Sequence, residues 1–320
     1  MNLPAAPAFT DVLDAANRIR PYLRPTPLHR YPALDRLTGA RVLVKHENHQ
    51  PVGAFKVRGG INLVSRLSGA ERERGVITAS TGNHGQSIAY AAGLFGVRAA
   101  VCVPENANPV KVESMRGLGA DIVFHGSDFD DAREHCEKLA DAQGLRYVHS
   151  GDEPLLIAGV ATETLEILTE RPDVQAIVLP IGGGSGAAGA CLVASTVSPS
   201  VEIIGVQSSA APAAYESWRA RELRTAQMST IAEGLATRTA FALPQRILWE
   251  LLSDFVLVSD DELRAATRLL IEKTRNLVEP AGAAALAAVL ADPPRFAGRD
   301  IVLVCSGGNI SPAQLLELLG

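Results

Sequence analysis

The feature that most constrains this fold is the alternation of short β-branched runs with longer helical stretches along nearly the whole chain. The runs are mostly apolar without interruption, which is typical of strands covered on both faces in a parallel sheet. Helix-length stretches rich in Ala, Leu, Glu and Arg separate them, such as Asp130–Gln143 and Asp260–Arg275. The pattern predicts an α/β fold. The predicted strands are Val42–Lys45, Val76–Ala79, Ala100–Val103, Ile122–Phe124, Ile177–Leu179, Ile203–Val206, Phe255–Val258 and Ile301–Cys305.

Composition excludes several classes of protein. Of the 320 residues, 47% are apolar, enough for a sizeable core in one large domain or about two ordinary ones. A net charge of −5 without a Lys/Arg cluster argues against a nucleic-acid surface, and no apolar run is long enough to span a membrane. The N-terminal sequence does not resemble a signal peptide, so we expect a cytoplasmic protein. The widely spaced cysteines are predicted to be buried free thiols: Cys102, Cys136, Cys191 and Cys305.

Three polar or glycine-rich loops directly follow predicted strands, and at least two of them open a helix. In open α/β sheets, ligands bind at the carboxyl ends of strands and at helix N-termini. Together the loops predict a site with several anion and polar contacts. They comprise Ser80, Thr81, Gly82, Asn83, His84 and Gly85; then Gly182, Gly183, Gly184, Ser185 and Gly186; then Ser306, Gly307, Gly308 and Asn309.

The loop Gly182–Gly186 has the composition of an anion cradle. At a helix start it exposes successive backbone N–H groups, and the helix dipole favours an anion there. It matches neither the phosphate loop that ends in Gly-Lys-Ser/Thr nor the spaced dinucleotide fingerprint. A tight turn that lets a helix pack closely on the sheet is the alternative interpretation.

Lys56 is the candidate nucleophile or base. Small and apolar residues flank it, and desolvation of a lysine lowers its pKa and favours the reactive neutral amine. A surface lysine whose stem covers apolar neighbours is the alternative.

The run Lys45–Gly59 resembles the lysine motif of fold type II pyridoxal-phosphate enzymes, within them the serine/threonine dehydratase and serine racemase group. Further matching motifs occur in the expected order at 26–28, 80–86, 182–186, 279–284 and 306–309, so the resemblance covers almost the whole chain. It implies two open, mainly parallel twisted sheets flanked by helices. It also implies that the cofactor lies between a large domain (1–65 and 151–320) and a small mobile domain (66–150). The irregular segment Tyr215–Arg246 is predicted to be a surface excursion with a short helix or two.

The resemblance also implies cofactor contacts. Lys56 would hold pyridoxal 5'-phosphate as a Schiff base and then act as the base at the substrate Cα. Asn83 would donate to the phenolic oxygen, Ser306 would face the pyridine nitrogen, and Phe55 would pack on the ring, unless Phe55 is only a core aromatic. The phosphate would lie in the glycine loop, on the amides of Gly182, Gly183, Gly184 and Ser185, with Gly186 completing it.

The substrate contacts implied by the resemblance lie in the loop after Ala79. Its amides and hydroxyls would bind the amino-acid carboxylate, from the residues Ser80, Thr81, Gly82, Asn83 and His84. Thr81 stands where racemase members carry a serine hydroxyl on the ring face opposite the lysine. Its alternative roles are to cap the helix or to contact the carboxylate.

Two segments depart from the family pattern. Gln207 and the position near Ala213 replace carboxylates that bind a cation in some relatives, and a hard divalent cation needs anionic oxygens, so we predict no metal site there. The segment His149–Pro154 lacks the bulky aromatic that usually follows the histidine. This predicts room for a larger substrate side chain, unless the loop is merely rebuilt.

These features predict a lyase that dehydrates a 3-hydroxy amino acid, with loss of ammonia from the product enamine to leave a 2-oxo acid. Because the first bond broken at Cβ is to oxygen, we expect a carbon–oxygen lyase. The substrate candidates are L-threonine, L-serine and bulkier analogues such as 3-phenylserine or 3-hydroxyaspartate. The resemblance is to short, catabolic-type forms without a regulatory module, and it suggests a homodimer. The alternatives are an amino-acid racemase using Lys56 and Thr81, or a cofactor-binding protein without turnover, against which intact Lys56, Asn83 and Ser306 weigh.

Overall fold

The computed structural model describes residues 3–320 and contains two β-sheets flanked by helices. The strands of the first sheet are β1 (Leu28–Arg30), β2 (Arg41–His46), β7 (Ala176–Pro180), β8 (Glu202–Ser208), β9 (Asp254–Val258) and β10 (Asp300–Cys305). Those of the second are β3 (Val76–Ala79), β4 (Ala99–Val103), β5 (Asp121–Phe124) and β6 (Arg146–Tyr147). The orders are β1-β2-β10-β7-β8-β9 and β5-β4-β3-β6. Within these sheets, every pairing except β1–β2 is parallel, which confirms the predicted fold class.

Helices occupy most of the chain between the strands, with 3₁₀ turns at Glu47–His49 and Glu233–Leu235. Their bounds are α1 Phe9–Ile19, α2 Pro32–Thr38, α3 Val57–Ser65, α4 Gly69–Arg74, α5 Asn83–Phe95, α6 Pro109–Gly117, α7 Phe129–Gln143, α8 Pro154–Glu170, α9 Ser185–Val197, α10 Ala213–Ala220, α11 Ala242–Leu251, α12 Asp260–Thr274, α13 Pro280–Ala291, α14 Pro293–Phe296 and α15 Pro312–Leu319. Among the described residues, no helix is both long and apolar enough to cross a bilayer.

The first sheet is covered on both faces, which explains its uninterrupted apolar strands. Along β10, Val302 and Val304 pack on the side of α8, α9 and α11, whereas Ile301 and Leu303 pack on the side of α13. Helix α13 is buried on all sides and consists largely of alanine. Its small side chains let it lie close to the sheet.

The eight predicted strands all form, with ends that differ by at most two residues. The sequence analysis missed β1 and β6, of three and two residues, because such short edge strands carry no periodic signal. The four cysteines are buried free thiols, as predicted. The prediction for Tyr215–Arg246 was wrong in one respect: part of this segment, residues 228–241, lines a cavity of about 1040 Å³ instead of packing only on the surface.

Candidate active site

A cavity of about 1040 Å³ lies where the carboxyl-terminal ends of strands from both sheets face each other. The three loops predicted to form a site all reach it, because each follows a strand: β3, β7 and β10. Lys56 lies in its wall as well. The cavity therefore joins residues that are up to about 250 positions apart in the sequence.

The glycine loop between β7 and α9 has a backbone that larger residues could not adopt. Gly184 has φ +91°, and a Cβ on Gly182 would fall 2.2 Å from the carbonyl oxygen of Gly234. A Cβ on Gly183 would fall 2.2 Å from the Phe241 ring. The first amides of α9 have no acceptor within the helix, and its dipole adds positive potential there. The loop is therefore closely packed, and its free amides are placed where an anion could accept hydrogen bonds from them.

A turn and two hydrogen bonds fix the backbone around Lys56. The preceding turn has φ +66° at Gly53, the Phe55 amide donates to the Ser306 carbonyl at 3.0 Å, and Ser87 Oγ donates to the Lys56 carbonyl at 2.6 Å. Its Nζ donates to Ser185 Oγ at 2.8 Å. Burial lowers the pKa of Lys56 to about 8. Its amine therefore lies at the cavity wall beside the cradle, which excludes the surface-lysine alternative.

A buried charge cluster behind Lys56 fixes the start of α3. Arg58 is fully buried and donates to both carboxylate oxygens of Glu47, at 2.7 and 2.8 Å, and to those of Glu166, at 2.6 and 2.8 Å. Lys45 Nζ also donates to Glu166, at 2.6 Å. Removing one member would leave a buried charge without its partner, which is strongly destabilising. The cluster was not predicted, because one of its two acidic members, Glu166, lies 108 residues from Arg58.

Asn83, at the start of α5, has its side-chain amide in a network. Asn309 Nδ2 donates to Asn83 Oδ1 at 2.8 Å, and Asn83 Nδ2 donates to Glu279 Oε1 at 2.7 Å. Asn83 and Glu279 both line the cavity. The network brings together three of the motifs that carried the family resemblance.

In the loop predicted to bind the substrate carboxylate, some polar groups are hydrogen-bonded to other groups of the protein. Ser80 Oγ accepts from the amides of Gly82, at 3.2 Å, and Gly85, at 2.9 Å, and therefore shapes the loop. The His84 ring bonds Thr78 Oγ1 at 2.9 Å, and burial lowers the His84 pKa to about 3, so this ring is neutral. Thr81 and the first amides of α5 line the cavity and can meet an anion.

Ser306 and Phe55 complete the site predicted from the sequence. Ser306 is only 5% exposed, and both side chains line the cavity. Gly186 lies against the Phe55 ring, since a Cβ there would be 3.1 Å from it. This places Phe55 beside the glycine loop and not in either sheet core.

Phe241 forms a part of the wall that the sequence did not predict. Its ring packs over Gly151, where a Cβ would fall 2.1 Å away, and meets the His149 ring edge-on at 4.9 Å. The segment His149–Pro154 lacks its own aromatic, and Phe241 from a different segment packs against it. The room expected there for a larger substrate is therefore partly filled.

Ion pairs join the two sides of the cavity, and no sequence motif marked them. Lys111 Nζ, from α6, contacts Glu233 at 2.5 Å, and Arg238 contacts Asp128 at 3.4 Å. Lys111 and Asp128 lie on the side of the second sheet, and their partners on the side of the first. Pairs formed so far apart in sequence can be found only from the fold.

Gln207, one of the two residues predicted to replace cation ligands, carries an amide and lies at the end of β8. Gln207 is buried, and its Oε1 accepts from the Tyr215 amide at 3.0 Å. Residues 3–320 contain no group of three or more His, Cys, Asp and Glu side chains placed to hold a metal ion.

The donor set of this cavity fits pyridoxal phosphate. The amides at the start of α9 suit its phosphate, the Lys56 amine its aldehyde, and the Asn83 amide its phenolic oxygen. The hydroxyl of Ser306 suits a neutral ring nitrogen. Such a set, on an α/β fold with two sheets, fits the class of enzymes whose cofactor bonds to a lysine.

Comparison with known proteins identifies the class more closely. Residues 19–307 match the family model described as pyridoxal-phosphate dependent enzyme. The chain belongs to this family, and its cofactor is pyridoxal phosphate.

Individual relatives point to two activities. The chain is 35% identical to an L-threonine ammonia-lyase of Thermotoga maritima, over 94% of this chain and 75% of the relative. It is also 35% identical to an L-threo-3-hydroxyaspartate ammonia-lyase of Saccharomyces cerevisiae, over 98% of this chain and 96% of the relative. The crystal structure of a serine racemase from Dictyostelium discoideum superposes with a TM-score of 0.90 at 31% identity, over 96% of this chain and all of the other. Ammonia-lyases are carbon–nitrogen lyases, so the predicted carbon–oxygen label is replaced.

Proposed function

We propose that this enzyme is an ammonia-lyase that converts a 3-hydroxy amino acid to a 2-oxo acid and ammonia by β-elimination. The observation that carries the proposal is the contact between Lys56 Nζ and Ser185 Oγ at 2.8 Å, at the mouth of the glycine cradle. This contact places a base, the Lys56 amine, beside a hydroxyl that can relay a proton, both on one side of the cavity. The two ammonia-lyase relatives support the same reaction.

Pyridoxal phosphate, when bound, draws electrons from the substrate Cα and so makes its proton acidic. Lys56 takes that proton, because a pKa of about 8 leaves a useful fraction of its amine neutral near pH 7. Thr81 and the first amides of α5 orient the substrate carboxylate.

The second half of the reaction needs a proton for the departing β-hydroxyl. Ser185 Oγ can take one from the Lys56 ammonium as it gives its own hydroxyl proton to the β-hydroxyl. An Nζ–H bond then breaks as an Oγ–H bond forms, and the Oγ–H bond that Ser185 gives up is replaced by an O–H bond on the leaving group as the Cβ–O bond breaks. The hydroxyl then leaves as water. The enamine product tautomerises and takes up one water as it releases ammonia, so the net products are a 2-oxo acid and ammonia.

The alternative is racemisation, which needs an acid–base group on the face opposite Lys56. Two observations favour this alternative: Thr81 lines the cavity, and a serine racemase is a structural neighbour. A hydroxyl is a weak acid–base group unless its surroundings assist it. The neighbouring His84 ring is bonded to Thr78 and so gives no such assistance.

The deciding experiment is an assay of 2-oxo acid and ammonia with chiral analysis of the remaining substrate. The panel is L-threonine, L-serine, L-threo-3-hydroxyaspartate and 3-phenylserine, with Lys56→Ala as control. We expect equal amounts of 2-oxo acid and ammonia from at least one substrate, and none from the variant. D-amino acid formed as fast as the 2-oxo acid would contradict the lyase proposal, as would no product from any member.

Thr81→Ala separates the two activities within one site. In a lyase it should slow elimination tenfold or less (about 1.4 kcal/mol of barrier), because only substrate positioning is lost. In a racemase it should abolish D-enantiomer formation and spare elimination. Initial rates of both products from the L-substrate distinguish these results.

A homodimer in the cytoplasm, with residues 66–150 as a mobile domain, completes the proposal. The division is supported by the sheets, since the second sheet draws its strands from residues 76–147 and the first from residues on either side.

A further inference from the structure

Glu279 is a buried acid in the cavity wall whose function the reaction above does not explain. It is 4% exposed, precedes α13, and lies within hydrogen-bond distance of Asn83. Its amide donates to the Gly307 carbonyl at 3.2 Å, and a Cβ on Gly307 would fall 2.2 Å from Glu279 Oε1. The carboxyl group thus occupies the space that the glycine leaves beside the loop after β10.

The hydrogen bonds around Asn83 fix which way its amide points. Asn309 Nδ2 donates both to the Val52 carbonyl and to Asn83 Oδ1, each at 2.8 Å, so its own orientation is set by a backbone oxygen. Asn83 Oδ1 therefore faces an N–H donor, and its Nδ2 faces Glu279. A flipped Asn83 amide would oppose oxygen to oxygen at Glu279 and NH₂ to NH₂ at Asn309.

This arrangement has a consequence for the cavity. An amide nitrogen carries two hydrogens, and Glu279 accepts one of them. The second N–H belongs to a side chain that lines the cavity. Without an acceptor at residue 279, only Asn309 would oppose a flip, and the amide could offer its oxygen to the cavity in place of the donor.

We propose that Glu279 is a positioning residue that orients the Asn83 amide and thereby sets the hydrogen bond this amide donates to the cofactor. It acts through Asn83 and not on the substrate. The inference depends on the cofactor assignment and is independent of which reaction the enzyme catalyses.

The test is a double-mutant cycle between Glu279→Ala and Asn83→Ala. Two properties are measured: the Kd of pyridoxal phosphate, by titration of cofactor-free protein, and the absorbance maximum of the bound cofactor. Loss of one oriented hydrogen bond predicts a rise in Kd of about tenfold for each single variant, with band shifts in the same direction. In the Asn83→Ala background, Glu279→Ala should change Kd less than twofold.

Two further variants separate positioning from a general structural role. Glu279→Gln keeps an acceptor oxygen and should stay within about twofold of the wild-type Kd, with the wild-type band. Glu163→Gln is the matched control, because it changes another buried acid, one that does not line the cavity, to its amide, and it should leave the band unchanged.

Additive effects of Glu279→Ala and Asn83→Ala on Kd, or a wild-type band in Glu279→Ala, would overturn the proposal. If Glu279→Ala does not fold, Glu279→Asp provides the second route, because its shorter side chain withdraws the acceptor oxygen from Asn83 Nδ2 and should shift the band in the same direction as Asn83→Ala does. An unshifted band in that variant would also overturn it. Neither measurement uses a substrate, so failure of the lyase assignment would leave this result interpretable.

Discussion

The reactivity that we propose for Lys56 follows from where its amine lies. Burial lowers its pKa to about 8 from the ordinary 10.5, which raises the neutral fraction near pH 7 by about 300-fold. Only the neutral amine adds to an aldehyde. The rate of pyridoxal-phosphate uptake by cofactor-free protein should therefore rise with pH to about 8 and then level off.

The comparison for this prediction is Nα-acetyl-lysine, whose reaction with the same aldehyde should accelerate to about pH 10. Stopped-flow absorbance measures both rates. Uptake by the protein that still rises between pH 9 and 10 would show that the lysine is not desolvated.

Where chemistry and spacing coincided, the sequence located residues that reach the cavity, and the roles assigned to them stay predictions. Asn83, Ser306 and the glycine loop line the cavity because each follows a strand end that the apolar pattern already located. Lys56 also lines the cavity, although it lies ten residues after the end of β2. Glu279 lies within the motif at 279–284, but the sequence assigns it no role, since its partner Asn83 lies 196 residues away. Partners at that separation follow from packing and not from local sequence.

At the scale of elements, the backbone conformation of the glycine loop sets the shape of the proposed phosphate cradle. Gly184 has φ +91°, and a Cβ there would lie 3.0 Å from Pro244. Gly184→Ala should therefore lower stability by about 1 kcal/mol or more and also distort the cradle. We predict a rise of more than tenfold in the Kd of pyridoxal phosphate.

Gly119→Ala is the matched control for this change. Gly119 has a similar φ of +88°, with nothing within 4 Å of an added Cβ and no place in the cavity wall. It should cost similar backbone strain without weakening the cofactor. Thermal melts and cofactor titration of both variants separate strain from binding, and equal Kd changes would show that the cradle geometry is not what binds the phosphate.

The elements that the sequence predicted are those with a local signal. Strands buried on both faces produce uninterrupted apolar runs, and Gly- or Ser-rich loops mark their ends. Phe241 and its neighbours in residues 228–241 were misplaced because that segment is irregular. Its position is set by contacts with Gly151 and Gly183, which no periodicity records.

For the whole molecule, the predicted absence of a cation site gives a direct test. Gln207 and Ala213 provide no anionic oxygen, and the Gln207 amide is bonded to the Tyr215 backbone. Dialysis against EDTA should leave both the melting temperature and the lyase rate nearly unchanged. A large loss of either that magnesium or calcium restores would show a cation bound by other residues.

The whole-molecule architecture distinguishes Lys56 from the other four lysines. The chain has five lysines, and Lys56 lies at the cavity wall within 2.8 Å of the cradle residue Ser185. Lys111 also lines the cavity but is paired with Glu233 at 2.5 Å. The central claim is therefore that the cofactor bonds to Lys56 alone.

Borohydride reduction of the holoenzyme followed by peptide mass spectrometry tests this claim most directly. Reduction makes the bond between the lysine nitrogen and the cofactor permanent, so the labelled peptide identifies the residue. We predict label only on the peptide that contains Lys56, and none after the same treatment of Lys56→Ala. Label on the Lys111 peptide in the wild-type protein, or a labelled Lys56→Ala variant that still turns over, would contradict the account.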